Sequence, residues 1–227
     1  MNTNVVIMAG GRGLRLHPLT LTQPKPLLRV GNKPILETII DKFIAQGFLR
    51  FILCVNYKAE LIQRYFGDGS EKGCTITYIH ENEFLGTAGA LRFYKPMNQP
   101  FIVHNADIIA DIDFNDLMRA HKAHGQDATV ALALYQHQIP YGTAVIQGDT
   151  VTEIREKPIE SFLVNAGIYV LPPKAPMMLD KGPSDMPDLL NRLTVGAYPI
   201  EGFWCDLGHF ESLAVASINW NLRIAAQ

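Results

Sequence analysis

The sequence predicts an α/β protein with a mixed, mostly parallel sheet, helices on both faces and a smaller antiparallel lobe. In the first half, short runs rich in β-branched residues alternate with segments of helical spacing, a pattern typical of βαβ units. In the second half, strand-like runs follow one another with few helices between them, which favours antiparallel or mixed pairing. The chain has 227 residues, of which 48% are hydrophobic and 19% charged, enough for one large domain with a buried core.

The first half of the chain supplies four predicted strands and four predicted helices. Apolar runs predict strands at residues 5–8, 51–55, 75–79 and 101–103. Helical spacing predicts helices at residues 35–46, 59–66, 86–94 and 113–123. We expect the helix at 35–46 to start at Asn32, with Pro34 in its first turn, and to be closed by Gly47.

The second half supplies the antiparallel part and the last helices. Strands are predicted at residues 129–134, 143–146, 151–154 and 164–171, with a hairpin turn at residues 147–150. Helices are predicted at residues 185–193 and 210–222. With no internal repeat and no long linker, we expect one domain over residues 1–227, divided into parts of about 1–125 and 126–227.

Composition narrows the classes of partner. The formal net charge of −2 provides no general attraction to nucleic acid or to an anionic membrane, so we expect neither as a partner. The start of the chain lacks the charged region and apolar core of a signal peptide, and no apolar run approaches the ~20 residues that span a bilayer. A cytoplasmic location is therefore expected. The three cysteines form no CxxC pair and are expected to be buried free thiols.

A glycine-rich, cationic loop follows the first predicted strand. Its glycines are Gly10, Gly11 and Gly13, and missing side chains there let backbone N–H groups approach an anion. The prolines after this loop do not fit a dinucleotide-binding loop, and the chain contains no G-x-x-x-x-G-K-[ST] string. Arg12, Arg15 and Lys25 could therefore serve as phosphate contacts, and the alternative is a stiff surface loop with solvated charges.

Two aspartates lie at informative positions of the predicted fold. Asp107 follows a predicted buried strand, at the edge where ligands bind in parallel α/β sheets. Asp206 lies in "WCDLG" before a predicted helix, where it could be the N-cap of that helix.

The loop and several later segments resemble sugar-1-phosphate nucleotidylyltransferases. The string "GGRGLRLHPLTLTQPKPLL" is similar to the signature G-G-x-G-T-R-L-x-P-L-T-x-x-x-P-K-P-[LM] of that family. The resemblance continues in the family's order through "LGTAGAL", "FIVHNADI", "YGTAVI", "EKP", "NAGIYVL" and "FWCDLGHFESL". It implies a Rossmann-like nucleotidyltransferase fold that joins an NTP and a sugar 1-phosphate to give an NDP-sugar and pyrophosphate.

The resemblance also implies roles for individual residues. Catalytic roles fall on Arg15, Lys25 and Asp107, and Mg²⁺ would be held by Asp107 and Asp206. The implied nucleotide-binding residues are Ala9, Gly10, Gly11, Arg12, Gly13, Glu81, Gly86, Thr87 and Asn105. The implied sugar-phosphate-binding residues are Gly142, Glu156, Lys157 and Asn165. One position departs from the signature, because Leu14 stands where the family has threonine.

The choice of base depends on Glu81, which stands where the family carries the side chain that reads the base. A carboxylate only accepts hydrogen bonds, and guanine offers neighbouring N–H donors, so GTP is favoured. UTP, CTP or dTTP is the alternative, as is a non-catalytic nucleotide-sugar-binding regulatory subunit. The expected partners are an NTP, a sugar 1-phosphate serving glycan or surface polysaccharide synthesis, and a second copy in a homodimer.

Overall fold

The computed structural model describes residues 3–214 and residue 216, and it contains thirteen strands within that part of the chain. The strands of the first half are β1 (Val5–Met8), β2 (Arg29–Val30), β3 (Lys33–Pro34), β4 (Arg50–Val55), β5 (Thr75–His80), β6 (Phe101–Asn105) and β7 (Ile108–Ala110). Those of the second half are β8 (Ala128–Gln138), β9 (Thr143–Gln147), β10 (Thr150–Arg155), β11 (Ile159–Leu171), β12 (Val195–Ile200) and β13 (Trp204–Asp206).

Five α-helices connect these strands. They are α1 (Leu19–Thr22), α2 (Ile35–Ala45), α3 (Ala59–Phe66), α4 (Phe114–His124) and α5 (Met186–Leu190). A further helical stretch covers residues 210–214 and 216, and the rest of the helix predicted at 210–222 lies outside the described residues. None of the helices described is long and apolar enough to cross a membrane.

Seven strands form the central sheet, in the order β12-β8-β11-β6-β1-β4-β5. Strand β1 runs parallel to β4 and β6, β4 is parallel to β5, and β12 is parallel to β8. Strand β11 is antiparallel to both β6 and β8. The predicted mixed, mostly parallel sheet is confirmed, and both halves of the chain contribute strands to it.

The core is densest where α2 and α4 cover the sheet. Phe43 of α2 stacks on Phe114 of α4 with ring centroids 3.7 Å apart, and it meets Phe48 and Phe51 edge-on. His104 of β6 lies edge-on to Phe43 at 5.6 Å, and its Nδ1–H donates to the carbonyl of Asn105. Burial lowers the pKa of His104 to about 4, so this histidine is a neutral core residue.

Five predicted elements were wrong in their bounds. Two are strands, because β8 extends to Gln138 where 129–134 was predicted and β11 begins at Ile159 where 164–171 was predicted. Residues 86–94 form only a 3-10 helix at Gly89–Phe93, and the helix predicted at 185–193 is shortened to α5. Asn32 does not start α2; it lies in the tight β2–β3 hairpin, and Pro34 is the residue that precedes the helix. The predicted hairpin turn at 147–150 is confirmed, with Gly148 at φ +60° between β9 and β10.

Candidate functional site

A pocket of about 600 Å³ opens where β1 and β6 end, at the carboxyl edge of the parallel strands. Its lining includes seven residues that the sequence analysis assigned to the site: Ala9, Gly11, Arg12, Gly13, Arg15, Lys25 and Asp107. The remaining lining residues are Met8, Leu14, Pro26, Phe84, Ala106 and Gly208. The glycine loop therefore lies beside the aspartate that follows β6, although about ninety residues separate them in sequence.

Close packing explains two of the loop glycines. Gly13 has φ +63°, and a Cβ there would lie 2.9 Å from Cγ2 of Thr20 and 3.2 Å from Cβ of Lys25. A Cβ on Gly10 would lie 2.6 Å from Oε1 of Glu81. Glycine is required at position 13, where φ is positive, whereas a side chain at position 10 would displace the flexible carboxylate of Glu81.

Glu81 lies next to this loop, at the end of β5. Asn56 donates from Nδ2 to the backbone carbonyl of Glu81 at 2.8 Å and so fixes the strand end. Burial raises the pKa of the Glu81 carboxyl, and a backbone hydrogen bond from Leu85 partly opposes that shift. The carboxylate is thus a half-buried acceptor against Gly10 of the glycine loop, and it is not among the residues that line the pocket.

The two arginines of the loop are each held by a distant side chain. The Arg15 guanidinium donates from Nη1 to Nε2 of His209 at 2.9 Å. The Arg12 guanidinium lies over the ring of Phe84, 4.4 Å from its centroid. Both arginines line the pocket, and among the described residues no carboxylate forms a salt bridge with either of them.

Lys25 and Asp107 form the tightest charge pair of the pocket. Nζ of Lys25 lies 2.5 Å from Oδ2 of Asp107, and the two side chains are 9% and 32% exposed. Lys25 begins a 3-10 helix directly after Pro24, and this turn directs its side chain inward. Truncating Asp107 would leave the ammonium of Lys25 unpaired in a poorly solvated position, which is costly.

Asp206 reaches the same edge of the sheet from the far end of the chain. Strand β13 pairs antiparallel with β7, with Asp206 opposite Ile108, and the N–H of Leu207 donates to the carbonyl of Asp107 at 2.9 Å. Oδ1 of Asp206 accepts from the N–H of Gly208 at 2.8 Å. The aspartate therefore ends a strand and closes a short turn, and the helical stretch begins later, at residue 210.

The residue types at this edge fit a divalent cation that prefers oxygen ligands. Within the described part of the chain there is no cluster of three or more histidine, cysteine or acidic side chains, so a metal held entirely by protein ligands is not built here. Mg²⁺ needs fewer protein ligands, because it usually keeps waters and takes phosphate oxygens from the substrate. Two carboxylates, such as those of Asp107 and Asp206, are sufficient in number for it.

Asn105 and Asn165 flank Gly167 beside the pocket. Asn165 accepts from the N–H of Gly167 at 3.0 Å, and a Cβ on Gly167 would lie 2.7 Å from Nδ2 of Asn105. The other predicted sugar-phosphate residues lie further out, between β8 and β11, and do not line the pocket: Gly142, Glu156 and Lys157. Gly142 and Glu156 are neighbours there, since a Cβ on Gly142 would lie 3.2 Å from Oε2 of Glu156.

Gly86 and Thr87 make intramolecular contacts outside the pocket. The N–H and Oγ1 of Thr87 both donate to Oδ1 of Asp185, at 2.8 and 3.0 Å, and Thr87 accepts from the N–H of Met186. Gly86 has φ +78°, and a Cβ there would lie 2.6 Å from the carbonyl of Ser184. These contacts join the segment after β5 to the start of α5, and we call them the clasp. The nucleotide-binding role of Gly86 and Thr87 stays a prediction.

Sequence reasoning missed His209 and Phe84. His209 lies inside the quoted block "FWCDLGHFESL", but it contacts Arg15 across 194 positions, which no local pattern reveals. Phe84 was passed over between Glu81 and Gly86, although an aromatic residue beside a base-reading position could have drawn attention to it.

The sheet, its glycine- and arginine-rich first loop and the adjacent carboxylates define an α/β protein built to hold phosphorylated ligands at the strand ends. The chain belongs to the nucleotidyl transferase family, which matches residues 4–221. The resemblance to sugar-1-phosphate nucleotidylyltransferases is thereby confirmed.

Relatives and solved structures of similar proteins agree with this family. The chain is 34% identical over 217 residues to mannose-1-phosphate guanylyltransferase catalytic subunit beta of Danio rerio and 36% identical to mannose-1-phosphate guanyltransferase of Yarrowia lipolytica. Each alignment covers 89% of this chain and 60% of the relative, so the chain spans about three fifths of their length.

Among solved structures, one described as a glucose-1-phosphate thymidylyltransferase of Bacillus anthracis superposes with a TM-score of 0.78 at 25% identity, covering 96% of this chain and 94% of that one. HddC of Yersinia pseudotuberculosis, complexed with GMP-PN, superposes with a TM-score of 0.76 at 25% identity, covering 96% and 99%. The predicted nucleotidyltransferase fold is confirmed.

Proposed function

We propose that this chain transfers a nucleotidyl group from GTP to a sugar 1-phosphate in the cytoplasm, producing a GDP-sugar for glycan synthesis and releasing pyrophosphate. The observation that carries the proposal is that the glycine loop, two arginines and the Lys25–Asp107 pair line one pocket, while Asp206 lies on the strand that pairs with the segment after Asp107. Two anions react in such a transfer, so the site must offset their repulsion and align them.

The chain's own groups divide this work by position. Arg15 and Arg12 face the pocket and would bind the triphosphate, with the loop glycines letting the backbone approach its oxygens. Lys25 would contact the reacting phosphates, and its pairing with Asp107 holds the ammonium in place at the pocket edge. The attacking oxygen of the sugar phosphate forms the new P–O bond at the α-phosphorus as the bond to pyrophosphate breaks.

Asp107 and Asp206 would hold a magnesium ion through their carboxylates. When bound, such an ion neutralises the charge that develops on the phosphate oxygens. The bridge between β7 and β13 supports this assignment, because it joins the two aspartate segments in adjacent register.

The choice of GTP is supported by Glu81 and by the names of the relatives. A half-buried carboxylate beside Gly10 can accept from the neighbouring N–H donors of guanine. The curated relatives are named mannose-1-phosphate guanylyltransferases, and HddC was solved with GMP-PN. Mannose 1-phosphate, or a sugar phosphate of similar shape, is accordingly the first acceptor to test.

The sugar-phosphate residues would act from two places. Asn165 adjoins Asn105 at the pocket edge and would accept or donate to a sugar hydroxyl. The segment between β8 and β11 contains Gly142, Glu156 and Lys157. From there Lys157 would supply a cation to the acceptor phosphate.

Pyrophosphate release with Mg²⁺ tests the proposal directly. Each of the four common NTPs is combined with a panel of sugar 1-phosphates, and nucleotide binding is followed in parallel by calorimetry. Release with GTP and one sugar supports the proposal. Binding of nucleotide without release from any pair would favour the regulatory subunit, with Leu14, exposed at the pocket, as the first position to restore to threonine.

A further inference from the structure

One aromatic side chain lines the pocket without a role in the function proposed above. Phe84 is the only aromatic residue among the described residues that line the pocket, and it is 40% exposed. The Arg12 guanidinium lies over its ring, with Cζ 4.4 Å from the ring centroid. This contact joins two separate segments of the pocket wall, the glycine loop and the turn after β5. Phe84 is therefore placed to influence the pocket through Arg12.

A short turn after β5 fixes the backbone on both sides of Phe84. The carboxylate of Glu81, the residue that follows β5, accepts a hydrogen bond from the backbone N–H of Leu85 and closes the turn. Leu85 is buried, and its carbonyl accepts from the N–H of Ser184 at 2.8 Å. The ring of Phe84 is therefore presented to Arg12 from a defined position, beside the carboxylate that is expected to read the base.

The guanidinium of Arg12 keeps its hydrogen-bond donors available. Within the part of the chain that the structure describes, it forms no salt bridge and no hydrogen bond. Arg15 differs, because one of its N–H groups is directed to Nε2 of His209 at 2.9 Å. A cation–π contact uses the positive charge and the face of the ring, so no acceptor of the chain competes with a ligand for the N–H donors of Arg12. Phe84 thus restrains this arginine without occupying its donors.

We propose that Phe84 is a positioning residue, which holds Arg12 at the pocket in a position to bind the phosphates of the nucleotide. This inference rests on the proposed function, in which Arg12 binds the triphosphate. An arginine side chain has several rotatable bonds, and immobilising it on binding costs affinity unless it is already held. The face of the Phe84 ring supplies that restraint, because its negative potential attracts the cation. A guanidinium can rest on an aromatic face and bind phosphate oxygens through its planar fork at the same time.

An exposed ring beside a nucleotide site could instead stack on the base. The observed contact favours the role through Arg12, because the guanidinium already covers one face of the Phe84 ring. The two roles differ in the ligands that they affect. Stacking acts only on a ligand that has a base, whereas restraint of Arg12 acts on any ligand that has the phosphates. Inorganic tripolyphosphate has the phosphates and no base, so it separates the two roles.

Calorimetry of the full chain measures the binding of GTP and of inorganic tripolyphosphate, each with Mg²⁺. Phe84→Leu removes the ring, Phe84→Trp keeps an aromatic face, and Phe93→Leu is the matched control. Phe93 is 48% exposed, lies outside this pocket and has the guanidinium of Arg92 4.8 Å from its ring centroid, so the control removes the same kind of contact elsewhere. We expect Phe84→Leu to weaken both ligands equally, by about three- to fivefold, the usual effect of one exposed cation–π contact. Phe84→Trp and Phe93→Leu should bind both ligands as the unmodified chain does.

A double-mutant cycle with Arg12→Met tests whether the effect passes through the arginine. Adding Phe84→Leu to Arg12→Met should cause no further loss of tripolyphosphate binding, because the restrained group is already gone. The same loss in that background, a loss for GTP alone, or no loss from Phe84→Leu would overturn the proposal. Failure of the proposed function is a different result, namely nucleotide binding by the unmodified chain without pyrophosphate release. An unmodified chain that bound neither ligand would overturn both.

Discussion

Asp107 is the residue on which the proposed chemistry depends most, because it is both the partner of Lys25 and a candidate metal ligand. Asp107→Asn keeps the shape but removes the charge, so Lys25 loses its counter-ion and the site loses a candidate metal ligand. We expect pyrophosphate release to fall by about 10³-fold, the upper range for loss of one electrostatic group, while nucleotide still binds. Asp149→Asn, in the exposed hairpin turn, is the control and should retain full activity.

Glu81 tests the choice of base. Glu81→Gln replaces two acceptor oxygens by one acceptor and one donor, so one guanine N–H faces a donor instead of an acceptor. We expect kcat/KM for GTP to fall by about tenfold or more, which corresponds to a loss of about 1.4 kcal/mol in transition-state stabilisation. We also expect the ratio of kcat/KM for GTP to that for UTP to decrease. The measurement is kcat/KM with all four NTPs. Glu83→Gln, which alters a nearby exposed carboxylate, should leave the ranking unchanged; an equal effect from both variants would argue against a specific contact.

His209 tests whether Arg15 must be held in place. Its Nε2 accepts from the guanidinium, and without that contact Arg15 has more freedom to lose when it binds phosphate. His209→Leu should raise KM for the NTP several-fold with a smaller change in kcat, whereas His209→Gln, which keeps an acceptor, should restore most of the affinity. If Leu and Gln behave alike in initial-rate kinetics, the hydrogen bond has no positioning role.

At the scale of elements, the clasp between Thr87 and Asp185 joins the segment after β5 to α5. Asp185→Ala removes an acceptor shared by two donors of Thr87, so the free energy of unfolding should fall by about 1 kcal/mol. Urea denaturation measures this loss. Asp188→Ala, at an exposed position of α5 itself, separates the clasp from a general effect on the helix and should cost less.

The elements with strong periodicity could be predicted from sequence. Helices α2, α3 and α4 and strands β1, β4 and β5 agree with the expected positions to within about two residues, because each has a clear apolar face or run. Strand β12 was missed, since it contains Pro199 and Gly196, which argue against a strand. The structure places β12 at the edge of the sheet, where one side of a strand has no ladder and proline is tolerated.

Local residue patterns could locate the glycine loop but could not reveal what surrounds it. Sixteen consecutive residues contain the loop glycines, Arg15 and Lys25, so their pattern can be recognised from the sequence alone. The contacts of Arg15 with His209, and of Asp107 with the Asp206 segment, join positions about a hundred or more apart. Such contacts arise from strand pairing and tertiary packing, which single-sequence periodicity does not encode.

For the whole molecule, His104 makes stability depend on pH. Its folded pKa of about 4 lies below the unfolded value near 6.5, so the unfolded chain binds the proton first as pH falls. Neutral His104 therefore makes its full contribution to the free energy of unfolding above pH 6.5, and this contribution is lost as the pH falls towards 4. Between pH 7 and pH 5 this loss is about 2 kcal/mol.

Urea denaturation of the unmodified chain and a His104→Gln variant at pH 7 and pH 5 measures that difference. The variant should be less stable at pH 7, but its stability should fall less on acidification, because glutamine does not titrate. His137→Gln, at an exposed position of β8, is the control and should keep the pH dependence of the unmodified chain. If the free energy of unfolding changes equally between pH 7 and pH 5 for all three proteins, His104 has the same pKa in the folded and unfolded states.

The pairing of β13 with β7 has a consequence for the order in which the working pocket comes into being during synthesis. The ribosome releases the glycine loop, Lys25 and Asp107 within the first half of the chain, and β1, β4, β5 and β6 can already associate. Asp206 and Gly208 emerge almost a hundred residues later. A nascent chain can therefore form the glycine loop and the Lys25–Asp107 pair well before the second aspartate of the proposed site has been synthesised.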